Sequence, residues 1–322
     1  MQKVALVGAG NMGRRHAAAY AEIPNAQLVA ICDNRELAAE EFAGAHGIPA
    51  YSTVDKMLNG VEADVVDICT PTAVHAQAIR SASGNGKHVI VEKPLNRNVV
   101  EAKESIRACR EAGVILCVGH VLRWFPEFKR LHELTTSGAV GSPAIVRTSR
   151  INRHPGGWFA EHKKSGGVIL DLLVHDFDWL RWTFGDAKRV HAVGLVESRI
   201  PMRDYALVTI RFKSGVIAHV EGSWCQPSEF GTSVEVAGSE GLLSFNSREA
   251  SSIRIDLRTE NGASVSYESP FGMSPLKDEL THFIDSIESG TPPAVKPEDG
   301  LEAVRMAEAA LKSIHTGHPV TL

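Results

Sequence analysis

The sequence predicts an α/β domain with a doubly wound parallel sheet, followed by an α+β domain built on a large, mainly antiparallel open sheet. Three observations predict it. Short continuous apolar runs alternate with helical periodicity early in the chain, strands of alternating pattern crowd the later part, and a glycine-rich turn follows the first strand. Continuous apolar strands are those covered on both faces by crossover helices, whereas alternation marks strands with one packed face. The division falls between residues 1–120 and 121–322.

In the first part, strands are expected at residues 4–7, 28–32, 65–69, 88–91 and 114–118. Helices are expected between them at 11–22, 35–46, 72–82 and 97–112. In the second part, residues 204–212 alternate, with Ala206, Val208, Ile210 and Phe212 on one side of the pleat. Further strands are expected at 144–151, 190–196, 216–225, 233–237, 242–246, 253–257 and 264–267. Lys213-Ser214-Gly215 and Glu260-Asn261-Gly262 supply hairpin turns. Helices at 275–289 and 297–316 close the chain, the latter with proline in its first turn. Earlier, after the strand at 144–151, residues 166–182 read as an amphipathic helix whose buried stripe is Leu173, Phe177 and Leu180, running on to Phe184. Asp171 and His175 lie four apart on another face of that helix, together with Asp178.

Composition narrows the function classes. At 322 residues, 43% hydrophobic and 22% charged, the chain suits two globular domains. A net charge of −4 without a basic stripe argues against nucleic acid as a partner. No apolar run approaches the length of a membrane span. Strand-like sequence from Lys3 leaves no room for a signal peptide. Five scattered cysteines with no CxxC pair suit a reducing cytoplasm and disfavour structural zinc. A metal site from His175, Asp176 and Asp178 is a poor fit, because near-consecutive positions diverge around a helix; no metal is expected.

Gly8-Ala9-Gly10-Asn11-Met12-Gly13 is a GxGxxG turn directly after a strand and opening a helix. The first glycine allows the tight turn, the second admits a pyrophosphate to the backbone, and the third lets helix and strand pack closely. The helix start offers free N–H groups to the phosphates. Asp33 ends the next strand 20 residues past Gly13, where a carboxylate accepts hydrogen bonds from ribose hydroxyls. Together these predict a Rossmann dinucleotide site containing Asp33, Asn34 and Arg35. Asp33 favours NAD because it repels a 2′-phosphate; Arg35 keeps NADP as the lesser option. His16, one turn into the helix, reads as a packing or surface residue.

Two further motifs, Thr70-Pro71-Thr72-Ala73-Val74-His75 and Gly86-Lys87-His88-Val89-Ile90-Val91-Glu92-Lys93-Pro94-Leu95, precede the Gly-Gly…Asp171-x-x-x-His175 helix. With the GxGxxG turn, they make the chain resemble the Gfo/Idh/MocA oxidoreductases, the glucose–fructose oxidoreductase and inositol dehydrogenase family. The resemblance runs over nearly the whole sequence, down to Gly317-His318-Pro319-Val320. It implies a Rossmann domain, an open antiparallel sheet often buried in a homodimer or homotetramer, and sugar or cyclitol substrates. By the same resemblance Lys93, Asp171 and His175 match the catalytic positions. Thr70 and Pro71 would line the nicotinamide ribose, with His75 in the same motif and Glu92 and Lys93 near the cofactor. The family commonly has asparagine where Thr72 stands, and Thr72 is expected to cap the following helix. It usually has a small residue where Leu173 stands, so Leu173 is expected to narrow the pocket. Arg123, in the turn after residue 119, and His154 and Trp158, ahead of the Gly-Gly helix, are substrate-side candidates.

The chemistry of these residue types agrees. Oxidising a secondary alcohol releases a hydride and a proton. An imidazole is suited to move that proton at neutral pH, and an ammonium stabilises the developing alkoxide. His175 is therefore the expected acid/base and Lys93 the electrostatic stabiliser. Asp171 is a positioning group that could fix the imidazole, bond the substrate or pair with Lys93. Two other functions fit the same motifs: an enzyme using bound NAD transiently for glycoside cleavage or internal redox cycling, and a non-catalytic nucleotide-sensing module. Retention of Lys93, Asp171 and His175 together argues against the sensor, which has no chemical need for all three.

Overall fold

In a computed structural model, residues 1–196, 204–227, 230–260, 262–272 and 274–322 are described. They form two compact units, Met1–Val121 with Ser274–Leu301, and Leu122–Met273 with Glu302–Leu322. The segment Ser274–Leu301 thus returns to the first unit, which a linear division at residue 120 leaves out.

The first unit alternates strand and helix: β1 (Gln2–Val7), α1 (Asn11–Tyr20), β2 (Ala26–Cys32), α2 (Glu36–His46), β3 (Ala50–Tyr51), α3 (Val54–Gly60), β4 (Val65–Ile68), α4 (His75–Gly84), β5 (His88–Glu92), α5 (Val99–Glu111) and β6 (Leu116–Gly119). The six strands pair in parallel in the order β3-β2-β1-β4-β5-β6. Strand order therefore reverses between β1 and β4, the switch point beside which dinucleotides bind in such sheets. Leu6, Ile31, Phe42 and Ala17 pack together beneath the glycine turn. The sequence reading lacked β3 and α3, which are only two and seven residues long and too short to show a period. Thr53 and Asn98 cap α3 and α5 by accepting the Lys56 and Glu101 N–H groups.

The second unit begins with α6 (Pro126–Thr136), also missing from the sequence reading, then β7 (Pro143–Ile151), α7 (His162–Ser165), a π-helical turn (Val168–Leu172) and α8 (Val174–Phe184). Strands β8 (Ala187–Leu195), β9 (Tyr205–Phe212), β10 (Ile217–Ser223), β11 (Gly231–Gly238), β12 (Gly241–Asn246), β13 (Ile253–Thr259) and β14 (Gly262–Glu268) follow. Helix α9 (Pro275–Ser289) packs on α1 within the first unit. Helix α10 (Pro297–Thr316) carries the chain back into the second unit, where β15 (Val320–Thr321) pairs with β8. The sheet runs β14-β13-β12-β11-β7-β10-β9-β8-β15, antiparallel throughout except for the parallel pair β7–β10. One face of β9 is buried through Ala206, Val208, Ile210 and Phe212, as its alternation predicts. The Lys213-Ser214-Gly215 turn joins β9 to β10, while Asn261 of the other expected hairpin turn lies outside the described residues. No helix among the described residues is long and apolar enough to cross a membrane.

The stripe Leu173, Phe177, Leu180 and Phe184 is buried as expected. Leu173, however, is fully buried against β10 and does not line a pocket: a Cβ on Gly222 would stand 2.7 Å from its Cγ. The glycine makes room for the leucine. Gly222→Ala is accordingly expected to cost about 1–3 kcal/mol by overpacking and Leu173→Ala about 2–5 kcal/mol by leaving a cavity. The double variant should cost clearly less than the sum, because each change relieves the other. Urea unfolding of the four proteins checks this, and additive losses would refute the pairing.

Candidate active site

The glycine turn of the first unit has the shape its sequence demands. Gly8 sits at φ +106°, where a Cβ would lie 2.7 Å from the Cys69 carbonyl oxygen. A Cβ on Gly13 would collide with the Gly8 carbonyl, so helix α1 can approach β1 only with glycine there. Gly10 differs: a Cβ there would meet nothing within 4 Å, and its φ of −76° is open to any residue. The space above Gly10 fits an approaching pyrophosphate. Gly10 leads into α1 with no side-chain cap and no acidic residue in the first turn, leaving its N–H groups to a phosphate. Asn11 is exposed and Met12 half-buried at that turn.

Asp33 holds the turn in place. Its Oδ2 accepts the Ala9 N–H at 2.9 Å, and its Oδ1 accepts the Arg35 N–H at 2.9 Å. The Arg35 guanidinium adds bonds to both oxygens at 3.1 and 2.9 Å. Burial works to raise the Asp33 pKa, but these donors overcome it and hold the carboxyl below its ordinary value. Asn34 and Arg35 are exposed beside it.

At the ends of β4 and β5, Thr70 and Pro71 are half-buried, and the Thr70 hydroxyl is buried with no hydrogen-bond partner among the described residues. That suits a polar group of a bound ligand. His75 turns inward: it is 1% exposed, with Nδ1 at 3.0 Å from the Pro94 oxygen and Nε2 at 2.9 Å from the Thr70 oxygen. It ties two loops together rather than presenting its ring to a cofactor. Thr72 lies in a 3₁₀ turn and makes no capping bond to α4, against the sequence expectation. Glu92 is buried and accepts the Lys93 N–H at 3.1 Å, and Lys93 itself is half-buried.

In the second unit, Gly166 and Gly167 both have positive φ, +79° and +65°. A Cβ on Gly167 would stand 2.6 Å from Asp204 Oδ2, the oxygen that accepts the Val168 N–H. The glycine pair thus ends α7 and launches the π-helical turn. The Leu173 N–H reaches back five residues to the Val168 oxygen, whereas Phe177 bonds Leu173 in ordinary α fashion. Asp171 therefore sits in a widened turn, and only His175 belongs to α8. The sequence reading placed both on one α-helix; the widened turn changes their angular offset. Such π turns recur at functional sites. Asp171 is buried and His175 half-buried.

Arg123, expected on the substrate side, and the aspartates of α8 have other partners. Arg123 is buried in a two-point pair with Asp178, at 2.9 and 2.6 Å, and lies over Trp182 at 5.4 Å. Arg150 of β7 grips Asp176 at 2.6 and 3.3 Å. These arginines anchor α8 through two carboxylates of its first turns, two residues apart, so Asp176 and Asp178 serve packing, and Arg123 helps fix the helix. His154 is half-buried, edge-on to Trp224 at 5.1 Å, with Nδ1 accepting the Gly156 N–H. Trp158 is also half-buried, stacked on Phe159 at 4.0 Å.

Of the two readings of His16, packing or surface, the structure gives packing. It is buried on α1 with Nδ1 2.8 Å from Asp67 and Nε2 3.1 Å from Glu92. The signal was present: Gly13, His16, Ala17 and Tyr20 recur at helical spacing, and Asp67 stands alone in an apolar strand.

Residues 2–120 match the family model of the Gfo/Idh/MocA oxidoreductases with an NAD-binding Rossmann fold, and residues 128–244 match the Gfo/Idh/MocA C-terminal domain. The chain belongs to the Gfo/Idh/MocA oxidoreductase family. A myo-inositol 2-dehydrogenase of Thermotoga maritima is 32% identical over 99% of this chain and 98% of its own length. The scyllo-inositol 2-dehydrogenase (NAD(+)) of Bacillus subtilis is 30% identical over 99% of this chain and 96% of its own. The crystal structure of a putative myo-inositol dehydrogenase from Sinorhizobium meliloti superposes with a TM-score of 0.84 at 28% identity, covering 100% of this chain and 99% of that one.

Two outcomes follow for this family member. Gly10→Ala should fold with stability within about 0.5 kcal/mol of the parent, because its Cβ meets nothing. It should weaken NAD binding by about tenfold or more, near 1.4 kcal/mol. Calorimetric titration and thermal unfolding read both, and unchanged NAD affinity would contradict the cradle. Asp33 has a folded pKa below its unfolded value, so its contribution is present above about pH 4 and lost as pH falls through the folded pKa. Stability measured from pH 7 downward should therefore fall less steeply in Asp33→Asn than in the parent.

Proposed function

We propose that this protein is an NAD-dependent dehydrogenase of a secondary alcohol on a sugar, a sugar derivative or a cyclitol. The observation that carries the reading is a Gfo/Idh/MocA chain that keeps Lys93 beside Glu92 at the end of β5 and Asp171 and His175 across a π-helical turn. The inositol dehydrogenase names of relatives at 30–32% identity support the substrate class.

His175 takes the hydroxyl proton as general base and returns it in the reverse direction. The Lys93 ammonium stabilises the oxyanion that builds up as the C–H bond breaks. Asp171 orients the reacting groups. Bound NAD⁺ supplies the acceptor for the hydride leaving the carbinol carbon. The backbone at Gly8, Gly10 and Gly13 and the carboxylate of Asp33 hold the dinucleotide, with Thr70, Pro71 and Glu92 at its nicotinamide end. Asp33 disfavours a 2′-phosphate, so NAD is preferred over NADP. His154 and Trp158 belong to the substrate side.

A panel of inositols, aldoses, their acids and nucleotide sugars, read by NADH absorbance, tests the assignment. Lys93→Ala and His175→Ala should each lower kcat by about 10²–10⁴ while NAD affinity stays within about threefold of the parent. Full activity in both variants would overturn the roles. A glycoside consumed without net NADH would replace this reading by a transient redox cycle.

A further inference from the structure

One buried cluster in the first unit touches the chemistry above only through Glu92. His16 on α1 is 2% exposed and lies between two carboxylates, Asp67 of β4 at 2.8 Å from Nδ1 and Glu92 of β5 at 3.1 Å from Nε2. Asp67 is 0% exposed and also accepts the Tyr20 hydroxyl at 2.9 Å. Carboxylates only accept, and a neutral imidazole carries a single N–H. Only an imidazolium donates to both, and it also supplies the cation that two buried carboxylates require. The second oxygen of Glu92 then accepts the main-chain N–H of Lys93 at 3.1 Å.

We infer that His16 is a positioning residue for hydride transfer, held as an imidazolium that fixes Glu92 and, through it, the backbone from which Lys93 departs. The inference rests on the role given to Lys93 above. The groups facing the imidazole and its two carboxylates are Asp67 and Cys69 from β4 and its end, Glu92 and Lys93 from β5, Tyr20 from α1, His75 from α4 and Cys117 of β6. Burial works against the charged ring, and Asp67 and Cys69 together overcome it, holding the pKa well above the ordinary value. Burial likewise works to raise the Glu92 pKa, and the His16 hydrogen bond and charge hold it down. The Tyr20 phenol, pushed up by burial and Asp67, stays a donor. Cys69, with its pKa pushed up to about 12, stays a thiol.

If His16 is removed, Glu92 keeps a buried charge without its cation and takes up a proton at higher pH. As an acid it no longer holds the Lys93 N–H with a full carboxylate. His16→Gln should therefore lower kcat by about tenfold or more, with NAD affinity changed by less than about threefold. Its kcat–pH profile should gain an acidic limb, activity rising as Glu92 ionises. Adding Glu92→Gln should abolish that limb without a further multiplicative loss, because the group that titrates is gone and the two changes act on one contact. Multiplicative losses with no new limb would overturn the inference.

A second measurement does not depend on turnover or on the variants folding. In ¹⁵N-histidine NMR of the unaltered protein at pH 7.5, His16 should show both ring nitrogens protonated, losing one proton only on titration well above neutrality. One bare ring nitrogen at pH 7.5 would overturn the inference. Should Lys93→Ala retain full activity while the His16 imidazolium is observed, the Lys93 assignment fails and the charge state stands.

Discussion

A carboxylate taken out of water must find a cation or a set of N–H donors, and the described structure is organised around that requirement. Asp33 collects Ala9 and Arg35, Asp67 and Glu92 share His16, Asp176 takes Arg150, and Asp178 takes Arg123. Apart from Asp33 with Arg35, two residues along the chain, each pair joins segments that are distant in sequence. Asp33 fastens the end of β2 to the glycine turn, His16 fastens α1 to two strand ends, and the two arginines fasten α8. In the pairs buried on both sides, those of Arg123 and Arg150, removing one partner leaves the other buried and charged, which costs about 3–5 kcal/mol. Shape at the working ends of both units is therefore set by electrostatic satisfaction as much as by apolar packing.

These pairs also divide labour among residues that look alike in sequence. Along α8 and the turn before it, three aspartates fall within eight residues, Asp171, Asp176 and Asp178. Two are consumed in arginine pairs, and the remaining one lies in the π-helical turn where the backbone departs from ordinary helix. A similar division separates the histidines: His16 and His75 face inward to acceptors, while His175 is half-buried.

Much of this was legible in the sequence. The parallel sheet followed from continuous apolar strands at β1, β4 and β5, and the later sheet from alternation such as that of β9. The three glycines of the first turn could be given separate roles because the turn's position after a strand fixes what surrounds each one. The rest depends on contacts across sequence distance, which periodicity does not carry. Leu173 looked like a pocket residue because Gly222, some fifty residues later, could not be seen to receive it. Arg123 looked available because its partner Asp178 lies 55 residues away. The widened turn at Asp171 was invisible because a π turn leaves hydrophobic spacing on either side nearly unchanged.

That widened turn has a consequence for how the chain tolerates length change. A π turn holds one residue more than the α turn it replaces, so the segment Val168–Leu172 acts as a reserve of one residue. Deleting a residue there would let the segment relax into regular helix while the two arginines kept α8 in register. Everything before it would keep its place, because an α turn with one residue fewer sweeps nearly the same angle about the axis. The glycine pair would stay against Asp204, and only the side chains within the turn, Asp171 among them, would change their facing. A one-residue gap in this turn thus re-aims the side chains inside it, whereas a gap in an exposed hairpin of the sheet changes only a loop.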